Sequence, residues 1–118
     1  GDASMRRAQR ALSASLGQPD ALGRAMDEVQ LSRRTFERRF RAATGYSPLA
    51  YLQELRMQRA RHLLGATTCG IDEIAIMVGY NDVPFFRNLF TRMSGITPSR
   101  YRGSFGMGEL LEKAKTIL

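Results

Sequence analysis

The chain has 118 residues, 43% of them hydrophobic, and a formal net charge of +7 at pH 7. That length suits one domain or two small lobes, and that composition suits a globular chain, not a disordered one. No apolar run reaches the ~18 residues of a membrane span, and a single Cys69 with a single His62 excludes an internal disulfide and a Cys/His zinc site.

Residues 2–16 predict a first helix. Asp2 stands where a cap is wanted, and Met5, Ala8, Leu12 and Leu16 form an apolar stripe at helical spacing. Gly17 and Pro19 end it. Asp20 is placed to cap a short second helix, with Leu22, Ala25, Met26 and Val29 apolar, that ends near Gln30. Ser32 caps a third helix to about Thr44, and Phe36, Phe40 and Ala43 set its core side. Gly45 stops it in the left-handed conformation that glycine enters cheaply. Ser47 and Pro48 have the form of an N-cap followed by proline at the first helical position. The fourth helix then meets no breaker until Leu64, with Tyr51, Leu52, Leu55, Leu63 and Leu64 as its buried candidates. At ~1.5 Å per residue it would span ~25 Å.

Residues 65–70 are expected to be a linker. A fifth helix covers 71–78, with Asp72 and Glu73 well placed in its first turn. Gly79 turns the chain, Asp82 caps a sixth helix to about Met93, and Gly95 ends it. Thr97 and Pro98 start a short seventh helix through Tyr101. Beyond Arg102 the chain turns glycine-rich at Gly103, Gly106 and Gly108, before an ELLEKAKTIL segment patterned as a short amphipathic helix. No alternating strand pattern of useful length occurs, so the fold class is all-α.

Two stretches repeat one another at a constant offset of 50 residues. Ser32 is matched by Asp82, Phe36 by Phe86, Phe40 by Phe90, Gly45 by Gly95, Ser47 by Thr97, Pro48 by Pro98 and Tyr51 by Tyr101. Each copy holds a cap, an aromatic pair, a glycine stop and a hydroxyl–proline restart. Such self-similarity implies two like helical units, each showing its partner the same kind of helix.

The outer faces of those helices carry the chemistry. With Phe36 at zero on the third helix, Glu37, Arg41, Arg34 and Arg38 fall at roughly 100°, 140°, 160° and 200°, away from the aromatics. On the sixth, Phe86, Phe90 and Met93 point inward, while Arg87, Thr91, Pro84 and Asn88 take the matching outward places. Of 18 cations in the chain all but Lys113 and Lys115 are Arg, and Arg33, Arg34, Arg38, Arg39 and Arg41 crowd one short helix. Such crowding is repulsive unless an anionic partner is expected. A short helix, a tight turn and a second helix with a polar outer face describe a helix-turn-helix, whose second helix enters the major groove. Arg suits guanine O6 and N7, Asn88 suits adenine, and Glu37 can accept from cytosine N4. Two such units on a ~25 Å helix could contact successive major grooves, about one turn (~34 Å) apart.

This reading divides the chain into an N-terminal helix (1–19), a first helix-turn-helix (20–46), a linker helix (47–65), a second helix-turn-helix (66–102) and a tail (103–118). An enzyme is not expected. His62 sits among Arg59 and Arg61, Asp72 and Glu73 serve a helix start, and no glycine loop is built for phosphate. Neither a cofactor nor a metal is expected. A basic module for acidic protein surfaces is the alternative, and RNA is weaker because the aromatics follow the buried period. The lone Cys69 fits a reducing compartment and no signal peptide is visible, so a cytoplasmic location is expected. Gly1 in place of Met suggests a trimmed start or a domain cut from a longer chain.

Across residues 20 to 102 the sequence resembles the DNA-binding domain of the AraC/XylS family of bacterial transcription regulators. The resemblance rests on LSRRTFERRFRAATGYSPLAYLQELRMQRARHLL and on IDEIAIMVGYNDVPFFRNLFTRMSGITPSRYR. It implies seven helices forming two homeodomain-like helix-turn-helix subdomains bridged by a long central helix. It puts base-facing positions at Arg34, Glu37 and Arg38 in the first unit, and at Val83, Pro84, Arg87 and Asn88 in the second. With the flanking Arg33, Arg41 and Thr91 these make up the expected double-stranded DNA contact. It also implies an activator that works beside RNA polymerase, no membrane partner, and an effector-binding domain outside this chain. The subgroup with a glutamine-amidotransferase-like partner domain looks most similar. Two departures stand out. Gln30 occupies a turn position where relatives carry Gly or Ala, and Val83 and Pro84 suit thymine methyls or shape better than hydrogen-bonded readout. The first motif is therefore expected to dominate base specificity.

Overall fold

The computed structural model describes residues 2–106. The ELLEKAKTIL segment, expected as an amphipathic helix, lies outside them. The described residues form seven helices and no strand: α1 (Ala3–Ala14), α2 (Ala21–Val29), α3 (Arg33–Thr44), α4 (Pro48–Ala66), α5 (Ile71–Met77), α6 (Val83–Ser94) and α7 (Pro98–Phe105). The chain divides into two compact units inside α4, between Arg56 and Met57.

In the first unit the Asp2 carboxylate caps α1 by accepting from the Met5 N–H at 3.4 Å. The α1 stripe of Met5, Ala8 and Leu12 is buried against Ala21, Ala25 and Val29 of α2, Phe36 and Phe40 of α3, and Leu52 of α4. Leu16, expected inside α1, lies past its end but still packs on this core. Phe40 is fully buried and meets Tyr51 edge-on at 5.2 Å. Burial of each such ring stabilises the fold by roughly 1.5–3 kcal/mol. One charged residue joins this interior: the Arg56 guanidinium donates to the carbonyls of Leu16 at 2.6 Å and Gln18 at 3.0 Å. Those carbonyls belong to the turn between α1 and α2, where Gln18 also accepts from the Ala21 N–H at 3.3 Å, so a cation adds side-chain hydrogen bonds to the turn backbone.

Two further expectations for this unit change. Asp20 precedes α2 but makes no cap, because its carboxylate accepts from Arg24 Nε at 2.9 Å instead. Ala43 shares the angular phase of Phe36, yet it is exposed. The last turn of α3 borders an open cleft beside Met5, Arg6 and Gln9 of α1, so no packed layer covers it.

The second unit is built from the rest of α4 with α5, α6 and α7. Its interior holds Met57, Ala60, Leu63 and Leu64, then Ile74, Ala75 and Val78, then Phe86, Leu89 and Phe90. Phe86 and Phe90 lie 5.9 Å apart, and Phe90 meets Tyr101 edge-on at 5.8 Å. Met93 is half-buried. Arg102 donates to the carbonyls of Leu64 at 3.1 Å and Thr67 at 3.3 Å, fixing the strand of chain that leaves α4.

Helix α7 runs on to Phe105, past the expected stop at Tyr101, and Tyr101 and Phe105 stack at 4.8 Å. That extension explains a second difference. Gly65 was expected to open the linker but lies within α4. A Cβ there would stand 3.3 Å from the Phe105 carbonyl oxygen, so this glycine permits a close approach and makes no turn.

Candidate nucleic-acid interface

Each unit presents a helix-turn-helix, and in each the second helix is fixed by its ends. Ser32 accepts from the Thr35 N–H at 3.3 Å, and Asp82 accepts from the Phe85 N–H at 3.0 Å. At the other ends, Gly45 (φ 81°) and Gly95 (φ 83°) take the left-handed cap. Ser47 and Thr97 then cap α4 and α7, accepting from Ala50 N–H at 3.1 Å and Arg100 N–H at 3.2 Å. These bonds, with the aromatic pairs beneath, set the rotation of α3 and α6 about their axes.

On α3 the aromatics Phe36 and Phe40 face the core, and Arg33, Arg34, Glu37, Arg38 and Arg41 are exposed. Arg33 Nε donates to Glu37 Oε1 at 3.2 Å, an exposed pair along one helix. Arg39 belongs with neither group. It is half-buried, and its guanidinium grips the Asp2 carboxylate in a fork, Nε at 3.2 Å and Nη2 at 2.9 Å. That bond holds the Asp2 carboxyl below the ordinary carboxylate value of 3.8. Arg39 is thus a fastening between α1 and α3, and it leaves the crowded cation set. Among the described residues no carboxylate pairs with Arg34, Arg38 or Arg41, so three guanidinium groups share one outer face with their charge uncompensated.

On α6 Pro84, Arg87 and Asn88 are exposed, while Val83 and Thr91 are half-buried. The Thr91 hydroxyl donates to the Arg87 carbonyl at 2.8 Å, four residues back. Arg87 Nη2 donates to Asp72 Oδ1 of α5 at 3.1 Å. Two features here escaped the sequence reading. Phe85, beside the buried Phe86, is 47% exposed and leans on Tyr80 at 5.9 Å. Its angular place, ~100° from Phe86, marks it as outward-tending. Asp72 had the look of a simple helix-start acid, and nothing local in sequence announces its bond to a residue on the next helix.

The turns before the two helices differ in chemistry. The first spans residues 30–32 and hinges on Gln30, the single non-glycine residue with positive φ (53°) among those described. Its N–H donates to the Met26 carbonyl at 2.9 Å. The second spans residues 78–82 and uses Gly79 at φ 102°, with the Tyr80 N–H donating to the Ala75 carbonyl at 2.8 Å. The departure at Gln30 is therefore accommodated by a left-handed backbone that costs a side-chain-bearing residue ~1 kcal/mol.

Comparison with known proteins bears on this arrangement. A family described as "Helix-turn-helix domain" matches residues 26–104. The chain is 38% identical over 92 residues to the HTH-type transcriptional activator RhaR of Salmonella schwarzengrund (strain CVM19633), covering 78% of this chain and 33% of that protein. It is 37% identical over 91 residues to RhaR of Escherichia coli (strain K12), covering 77% and 32%. The chain thus spans about a third of the length of the curated relatives it matches. Among solved structures, the C-terminal domain of AraT, a response regulator from Geobacillus stearothermophilus, is similar with a TM-score of 0.85 at 28% identity, over 90% of this chain and 88% of that one. The DNA-binding domain of AdpA, a global transcriptional factor solved in complex with a target DNA, is similar with a TM-score of 0.82 at 29% identity, over 88% and 94%.

Proposed function

The chain belongs to the AraC-type helix-turn-helix family of transcription regulators, and from that premise we propose that it binds double-stranded DNA sequence-specifically, with α3 and α6 as its two major-groove readers. The observation that carries this reading is the outer face of α3, where Arg34, Arg38 and Arg41 stand exposed without a carboxylate partner among the described residues. Arg34 and Arg38 would each take a guanine edge, and Glu37 would accept from cytosine N4. Arg33 and Arg41 flank them at the phosphates. In the second reader Arg87 takes guanine, Asn88 takes adenine and Thr91 lies at the flank. Val83 and Pro84, with the exposed Phe85 beside them, offer apolar contact to thymine methyls. The duplicated readers would each enter a major groove, in two successive turns of the duplex.

The intact protein, on this reading, is a cytoplasmic activator that works beside RNA polymerase and carries a further effector-binding domain. The length of the relatives supports the last point, since this chain matches only a third of them. Selection of duplexes from a randomised pool by this chain tests the core of the proposal. Two short enriched boxes about a turn apart are expected, with affinity falling steeply as salt rises. Equal affinity for selected and random duplexes would overturn it.

A further inference from the structure

We infer that Asp72 is a positioning residue for base readout by Arg87, an inference that rests on the DNA-binding reading of α6. Two acids open α5, and the structure gives them different work. Glu73 reaches back to the Gly70 N–H at 3.3 Å and serves the helix start. Asp72 leaves the helix start alone and accepts from Arg87 Nη2 at 3.1 Å, across fifteen positions of sequence. An acid that merely favours a helix dipole needs no defined partner; this one has one, and it is the cation at an outward position of the second reader.

The first unit shows why the partner comes from another helix. There the residue at the corresponding position, Glu37, is restrained by Arg33 one turn earlier on α3. At the offset of 50, Arg33 becomes Val83 and Glu37 becomes Arg87. The reader's charge is reversed, and its same-helix partner is replaced by an apolar side chain. Asp72 fills that role from α5, where the first unit has Leu22. A free arginine must give up rotamer freedom when it meets a base, and holding it beforehand lowers that cost. Nη2 donates one N–H to Asp72, which leaves the other guanidinium N–H groups to meet a base edge. The pair is 44% exposed on Arg87 and 71% on Asp72, so its effect is modest and screened by salt.

The test uses this chain and the duplex it selects from a randomised pool, with each base pair then changed in turn. Wild type, Asp72→Asn, Asp72→Glu, Arg87→Ala and the Asp72→Asn/Arg87→Ala double variant are compared. Arg87→Ala first identifies the base pair that Arg87 reads. At that base pair, Asp72→Asn is expected to lower discrimination about two- to fivefold, the range of an exposed pair. Other base pairs keep their preferences, Asp72→Glu restores the wild-type pattern, and the double variant matches Arg87→Ala alone. A purely structural role for Asp72 would shift all duplexes together. If Asp72→Asn changes affinity evenly while Arg87→Ala erases one preference, the inference fails and the reading of α6 stands. If Arg87→Ala itself weakens every duplex equally, Arg87 is a phosphate contact, and both fail.

Discussion

At an offset of 50 residues the two units share their frame and differ in what the frame displays. The Phe36–Phe40 pair lies at 5.5 Å and 52°, the Phe86–Phe90 pair at 5.9 Å and 46°. The glycine caps agree within a few degrees, and so does the edge-on contact of Phe40 or Phe90 with the tyrosine that follows. The outward positions do not agree: Arg34, Glu37 and Arg38 stand against Pro84, Arg87 and Asn88. The neighbours that fasten each helix differ as well. Arg39 grips Asp2, the cap of α1, whereas its counterpart Leu89 is simply buried. Duplication has kept the residues that set the rotation of a helix and released those that the rotation exposes.

That contrast can be attacked first at its strongest point. Phe40→Ala and Phe90→Ala should each cost ~3–5 kcal/mol, as large deletions in a close-packed interior. Denaturant unfolding followed by amide exchange in each unit would measure both. A pair of sharply unequal losses would mean the two frames are alike in geometry only. Next come the displayed residues. Arg38→Ala should weaken the selected duplex by ~1–3 kcal/mol and relax preference at one base pair. Asn88→Ala should cost less, since the first reader offers more bidentate donors. The reverse order in competition binding would hand specificity to α6.

Smaller effects probe the turns and fastenings. Gln30→Gly should raise stability by roughly 0.5–1 kcal/mol, because glycine adopts the left-handed hinge without strain. No change in the thermal midpoint would show that Gln30 is at ease there. The smallest expected effect is a pH dependence. The Arg39 hydrogen bond lowers the Asp2 pKa in the folded state, so the carboxylate's contribution is complete above its ordinary value of 3.8. It is lost as pH falls through the lowered folded value. Arg39→Leu, which copies the second unit, should lower the midpoint above that ordinary value and converge with wild type as pH falls through the lowered folded value, so that this part of the acid limb disappears. An acid limb identical to wild type would remove Arg39 as its cause.

What could be read from sequence was what repeats or what caps. The cap residues Ser32, Asp82, Ser47 and Thr97, the glycine stops and the aromatic spacing each act within one turn of helix, so their partners are adjacent in the chain. The residues misread act at longer range. Arg39 looked like one more surface cation until α1 brought Asp2 to it, and Arg56 gave no sign of a buried place beneath the α1–α2 turn. Gly65 has the composition of a linker, and only the distant Phe105 carbonyl explains it as part of a helix. Ala43 has the right phase but no neighbour above it. Phase predicts which way a side chain points and says nothing of whether another helix is there to meet it. The same holds at the site: exposure of Arg34 and Arg38 follows from periodicity, whereas the bond between Arg87 and Asp72 needed the packing of α5 against α6.

The boundary between the units falls at Arg56 and Met57, in the middle of an unbroken α4. A protease or a cloning scheme aimed at this midpoint would cut through hydrogen-bonded backbone, not through slack chain. Each severed half would begin or end on raw helical amides with no cap to finish them. Anyone wishing to study a single reader in isolation would do better to leave α4 whole, trimming at residues 67–70 for the first and retaining Ser47 for the second.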